Sequence, residues 1–264
     1  VLDHAAQLRA SGYTLLDSLF SVADAQRFAA ALRAEWVRLG EPSLFSQADV
    51  VVEPGVHVSP VGMTCMGLLD RIPETAQILH EPRLLALLTE LLGPGFELEF
   101  SAGVISDATR GFFFWHHHVG GIDAEDMRGA DYPSFDQIER LGFTLYASPL
   151  DDEHGVMQVW PRDVLTSTAP PHPPGRDPWP GAAQVRAPIG SVIMFEQGTW
   201  HAVTPMTRAG QRCFFGFFVR RAGLAPTKRR DERTQAAVAR DGALRRIYSG
   251  GGGRGGRVRD RGAP

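Results

Sequence analysis

Cysteine is scarce: the 264 residues contain two, Cys65 and Cys213. A disulfide framework needs more of them, and the two are too far apart for a CxxC-type metal motif, so the cytosol is the expected compartment. Both thiols read as small buried hydrophobes. No apolar run approaches the roughly 20 residues of a membrane-spanning helix, and no secretory signal pattern stands at the start. No membrane partner is therefore expected. The chain begins at Val1 rather than Met, which leaves a preceding leader open. Charge of one sign is lacking too, since the formal net charge is −3. It is unevenly spread. From Lys228 onward there are eleven Lys/Arg against four Asp/Glu, which leaves sixteen against twenty-six in the body. Such an acidic body is not that of a nucleic-acid binder.

What the chain does contain is a helical first third followed by many short β segments. Residues 2–10 read as a helix ending near Gly12, and Tyr13-Thr-Leu-Leu-Asp17 reads as a strand. Ser21-Val-Ala-Asp24 resembles a capping box, and Phe28, Leu32, Trp36 and Leu39 then recur at helical spacing. Val50-Val-Val52 is extended; helices are expected near 74–80 and 82–92, stopped by Gly93-Pro94. From Phe96 the texture turns to strands, at 96–105, 111–119, 141–149, 155–160, 183–189, 191–196, 199–204 and 211–220. Many short strands punctuated by Gly and Pro indicate a sandwich or barrel with helices packed outside. Pro170 to Gly181 is a loop, either a lid or a surface excursion. The expected organisation is a single barrel domain with its helices over 1–228, a helical extension over 229–249 broken at Gly242, and a Gly/Arg-rich disordered tail over 250–264. That tail is the chain's only hint of RNA contact, and a solvated segment is the better explanation of it.

Three histidines stand in a row at His116, His117 and His118. In a strand, side chains alternate between faces, so His116 and His118 share one side and His117 takes the other. Two imidazoles at i and i+2 can chelate one ion. A lone histidine is more often a satisfied core residue, but two on one face of an apolar strand each need partners for their ring nitrogens. His201, in Thr199-Trp-His201, is a distant third ligand of the kind held between barrel strands. Arg212 opens an otherwise apolar strand, where a permanently charged guanidinium either pairs with an anion or, as is commoner for a lone strand-end Arg, reaches solvent. Arg208 competes for that role but sits in a turn.

The chain resembles the phytanoyl-CoA dioxygenase family of Fe(II)/2-oxoglutarate oxygenases over roughly residues 7–222. The resemblance is carried by Arg9-Ala-Ser-Gly-Tyr-Thr-Leu-Leu-Asp17, Trp115-His-His-His118, Gly155-Val-Met-Gln-Val-Trp-Pro161, and Trp200-His201 followed by Arg212. It implies a double-stranded β-helix, the jelly-roll or cupin-like barrel. It implies Fe(II) and the cosubstrate 2-oxoglutarate, with Arg212, eleven residues after His201, clamping the far carboxylate. It further implies contacts from Thr144 and Gln158, a pocket bordered by Phe114, Trp160 and Trp200, and O₂-dependent oxidation of a small molecule.

The resemblance breaks at one position. The family pattern is His-x-Asp, and His118 stands where the Asp belongs. Four readings follow: a three-histidine site of His116, His118 and His201; a carboxylate supplied by Asp123, Glu125 or Asp126; His117 as ligand in another register; or a barrel that has become a binding module. Three rival functions stay open with them: a 2-oxoglutarate-dependent oxygenase, a three-histidine iron oxygenase that does not use 2-oxoglutarate, and a non-catalytic binding protein.

Overall fold

The computed structural model describes residues 3–118, 138–161, 170–227 and 230–250. Two antiparallel sheets face each other. The large one holds β1 (Tyr13–Leu16), β10 (Val192–Glu196), β7 (Arg140–Tyr146), β12 (Gln211–Arg221), β5 (Phe96–Asp107), β4 (Gly62–Met66), β3 (Val56–Ser59) and β2 (Val50–Glu53), in that order. The small one is ordered β6 (Phe113–His116), β11 (His201–Val203), β8 (Met157–Val159) and β9 (Ala183–Val185). From β5 onward the chain passes back and forth between the two sheets. That path is the double-stranded β-helix.

Helices cover the outside of the large sheet. α1 (His4–Ser11) ends on Gly12, and α2 (Val22–Arg38) starts on Ser21, whose hydroxyl accepts the Asp24 N–H at 3.1 Å and donates to the Asp24 carboxylate at 2.6 Å. The N-cap foreseen at Ser21 is therefore formed, with the Asp24 carboxylate held by the Ser21 hydroxyl. A short α3 (Leu68–Arg71), a 3₁₀ helix (Pro73–His80) and α4 (Pro82–Leu92) follow. The segment at 74–80 is 3₁₀ and not α, with Pro73 opening it. The hairpin strands β3 and β4 fall in the Gly- and Pro-rich 40–68 stretch, where the sequence predicts short extended pieces such as Val50-Val-Val52 without individual bounds.

Period two sorts β12 cleanly. Cys213, Phe215 and Phe217 point outward to α2 and the helical core; Phe214 and Phe218 point inward, between the sheets. Phe28 of α2 meets Phe215 edge-on at 6.1 Å. α2 comes close enough to β5 that a Cβ on Gly103 would stand 3.0 Å from Leu32 Cδ1. A side chain there would require Leu32 and Leu68 to give by a few tenths of an ångström. Cys65 and Cys213 are buried and free, as their apolar settings suggested. Two further helices, α5 (Glu232–Arg240) and α6 (Gly242–Tyr248), pack back on β5, and Asp241 caps the second. Tyr248 donates its hydroxyl to Leu79 O at 2.8 Å. Residues 251–264, the Gly/Arg-rich segment, lie outside the described residues. No helix among the described residues is long and apolar enough to cross a membrane.

Candidate metal centre

The small sheet assembles the histidines. β6 and β11 are antiparallel neighbours, and His116 stands directly opposite His201. Directly opposed residues share a face, so both rings point between the sheets. β6 ends at His116, but the next turn of chain stays tethered: the His118 N–H donates to Gln197 O at 2.7 Å. His118 thereby returns to the same face. The ring centroids of His116 and His201 are 4.2 Å apart, and those of His118 and His201 are 4.8 Å apart. One ligating nitrogen from each of the three lies within 4.8 Å of the others.

Hydrogen bonding orients two of these rings. His116 Nδ1 is 2.9 Å from Phe114 O, and His201 Nδ1 is 2.9 Å from Thr199 O. A carbonyl only accepts, so each Nδ1 carries the proton and each Nε2 presents a lone pair. This is how metal-binding imidazoles are commonly fixed. His118 Nε2 stands 3.1 Å from His201 Nε2. Two nitrogens each about 2.1 Å from one ion and at roughly a right angle would be about 3 Å apart. The donor set therefore fits one divalent ion. No carboxylate joins the cluster among the described residues. Three neutral imidazoles leave the charge of such an ion uncompensated, unlike a two-histidine, one-carboxylate set. Phe113, Phe195 and Phe218 pack against the rings at centroid distances of 4.7, 4.8 and 4.8 Å, to His116, His201 and His118 respectively.

Arg212 lies on the inward face of the large sheet. It shares that face of β12 with Phe214, Gly216 and Phe218, and Phe218 touches His118. Its side chain is 1% exposed, and Nε and Nη2 have no hydrogen-bond partner. Burial holds this guanidinium below its ordinary pKa, with the Tyr146 hydroxyl as a neighbour. Between Phe214 and Phe218 the inward face carries no side chain at Gly216. A Cβ on Gly216 would find only Thr144 Oγ1, at 4.0 Å. Thr144 is paired with Gly216 and faces the same space. A buried cation with two unpartnered nitrogens, a hydroxyl and a position without a side chain, on the face that also carries Phe218 beside His118, fit a small dicarboxylate chelated to the ion.

Other expected residues fall elsewhere. Gln158 is on β8, but its neighbours Met157 and Val159 take the inward face, so its amide points out and donates to Asp177 at 2.8 Å. The alternation of a strand places it away from the cosubstrate space. Trp160 and Trp200 likewise belong to an outer cluster with Trp115 and Trp179, the last two stacked at 4.2 Å. The Pro170–Gly181 loop is fastened over this cluster: Trp115 Nε1 donates to Arg176 O and Trp179 Nε1 to Pro173 O. His172 sits there too, 5.9 Å from Trp160. The loop thus clads the outside of the small sheet. Phe114 does lie beside the site, 5.8 Å from His116. His117 turns outward, its ring 4.7 Å from Trp200. Asp123, Glu125 and Asp126 lie outside the described residues. Arg208 is exposed and pairs with Glu153. Arg110, which no motif marked, is 2% exposed on the turn between β5 and β6 and donates to Thr204 O at 2.7 Å.

No family model matches the chain, and no curated protein matches it. Solved structures do. SnoK, a non-heme alpha-ketoglutarate-dependent carbocyclase from nogalamycin biosynthesis, is similar over 86% of this chain and 87% of its own, at 17% identity and a TM-score of 0.64. The SnoN epimerase, in complex with Fe³⁺, alpha-ketoglutarate and nogalamycin RO, is similar over 87% and 86%, at 15% identity and a TM-score of 0.60. HygX from Streptomyces hygroscopicus, with nickel, 2-oxoglutarate and hygromycin B bound, is similar over 85% and 89%, at 16% identity and a TM-score of 0.58. At these identities the likeness is one of fold: the chain has the jelly-roll barrel on which these non-heme alpha-ketoglutarate-dependent enzymes are built.

Proposed function

We propose that this chain is a non-haem Fe(II)/2-oxoglutarate-dependent oxygenase that oxidises a small organic molecule, with His116, His118 and His201 as the metal ligands. One observation carries the reading: three convergent imidazoles and a buried, unsatisfied Arg212 line the same barrel interior. When bound, Fe(II) supplies O₂ activation coupled to oxidative decarboxylation of 2-oxoglutarate to succinate and CO₂. The chain's residues do the rest. Arg212 holds the far carboxylate of 2-oxoglutarate by charge-assisted hydrogen bonds. Thr144 stands beside that path. Phe113, Phe195 and Phe218 exclude water, which protects reactive species from side reactions. The substrate class is drawn from analogy with the barrel's structural neighbours, among them HygX with hygromycin B bound. The wall that would meet the substrate includes Phe114.

A second reading has its own observation. His118 occupies the carboxylate position and no acid joins the cluster among the described residues. That favours a three-histidine iron oxygenase working without 2-oxoglutarate. One titration separates the readings. Metal-free protein is given Fe(II) and then 2-oxoglutarate under anaerobic conditions, and the visible charge-transfer band of the chelate is followed. The proposal expects a band that is weakened by Arg212→Ala. Iron binding without a band turns the assignment to the cosubstrate-independent oxygenase. Absence of iron binding leaves a binding protein on the same barrel.

A further inference from the structure

Two buried arginines, and not one, meet at the end of the barrel interior. Arg110 approaches from the β5–β6 turn, six residues before His116, and Arg212 from β12. They converge at Gly155. A Cβ there would stand 2.6 Å from Thr204 O and 3.1 Å from Arg212 Nη1, and Arg110 Nη2 donates to that same Thr204 O. Gly155 has φ +91°, so the backbone itself keeps the gap clear of a side chain.

No acid among the described residues balances these charges. Asp107, the acid nearest Arg110 in sequence, accepts from the Thr109 N–H and hydroxyl, and Glu153 pairs with the exposed Arg208. The remaining neighbours of Arg212 are the Tyr146 and Phe214 rings, at 5.4 and 5.7 Å. Burial, with the charge of Arg212 beside it, pushes Arg110 down to about 9, and burial lowers Arg212 as well; a guanidinium remains the cationic form in a protein interior. Two like charges buried together without an anion oppose folding. If Arg110 merely tied down the β11–β12 loop through one carbonyl, a neutral donor would do so at lower cost. A pair of unneutralised guanidiniums is instead a site prepared for an anion.

We propose that Arg110 is the second cation of the carboxylate site, so that Arg110 and Arg212 together select a 2-oxo acid with a far carboxylate over one of equal length without it. The inference rests on the function proposed above but fails separately from it. Its test is calorimetric binding of 2-oxoglutarate and of 2-oxopentanoate to Fe(II)-loaded protein under anaerobic conditions, in wild type, Arg110→Gln, Arg110→Met and Arg212→Gln, with a thermal melt of each ligand-free protein. Losing a charged hydrogen-bonding partner corresponds to a roughly tenfold to hundredfold weakening. Arg110→Gln and Arg110→Met are expected to weaken 2-oxoglutarate by about that factor while leaving 2-oxopentanoate within about twofold. Arg110→Met, which keeps an apolar stem and removes the buried charge, is expected to melt higher than wild type without ligand. Equal weakening of both acids, a lowered melt in Arg110→Met, or failure of both Arg110 variants to fold would make Arg110 a structural tie and overturn the inference. Discrimination lost in Arg212→Gln but kept in the Arg110 variants overturns it while the proposed function stands. A wild type that binds neither acid sinks both.

Discussion

The side chain of Glu196 shows how burial sets chemistry one residue at a time. It ends β10, is fully buried, and its Oε2 accepts the Gly198 N–H at 3.0 Å. Desolvation pushes its carboxyl well above the usual carboxylate range. A raised folded pKa means that the folded protein holds a proton which the unfolded chain releases above about pH 4.5. Stability from this group is therefore complete in acid and is lost as pH rises from there toward the folded pKa, by up to about 1.4 kcal/mol per pH unit. Glu196→Gln is expected to be more stable than wild type at pH 7, with the gap closing near pH 4. Urea melts across that range measure it, and a gap that is constant with pH would refute the neutral-carboxyl account.

At the scale of elements, the barrel separates its duties by face. The outward face of β12 and β5 receives α2 and supports stability; the inward face carries Arg212, Gly216 and Phe218 and supports binding. Leu32 is fully buried where α2 crosses Gly103. Leu32→Ala leaves a cavity and is expected to cost about 2–5 kcal/mol. Because it lies outside the large sheet, metal affinity should change less than twofold in protein that remains folded, an estimate that follows from the additivity of distant sites. A urea melt and a metal titration on the same variant check both halves. A large loss of metal affinity would mean that the sheet does not insulate the site from the helices.

At the scale of the whole molecule, an ion held by His116, His118 and His201 would bridge the β6 end of the small sheet to β11. Binding to the folded state alone stabilises it by mass action, by about 2.7 kcal/mol at a hundredfold excess over Kd. Fe(II), or Ni(II) as a redox-inert probe, is expected to raise the thermal midpoint, and a chelator to reverse the rise. In a His116→Ala, His201→Ala double variant the shift should vanish. A shift of equal size in that variant would place the ion elsewhere.

Much of this was legible in the sequence because strands have a period of two. That period predicted His116 and His118 on one face and His117 on the other, although β6 ends at His116 and the bond to Gln197 O holds His118 there, and the Gly/Pro-punctuated apolar runs implied a sandwich or barrel with helices outside. The same rule, applied to Met157-Gln-Val159, turns Gln158 outward once the inward face is known, but a strand of three residues does not say which face is the interior. Trp160 and Trp200 needed the same information. Local pattern determined that a pair of histidines could chelate and that Ser21 starts a helix; the anion-binding role of Arg212 came from its place eleven residues after His201 in the family resemblance. Only the tertiary structure decided that His201 stands opposite His116 and that Arg110 shares a carbonyl with the loop beside Arg212. Those pairings join segments far apart in the chain, and their geometry is set by strand register and sheet packing, which no local periodicity encodes.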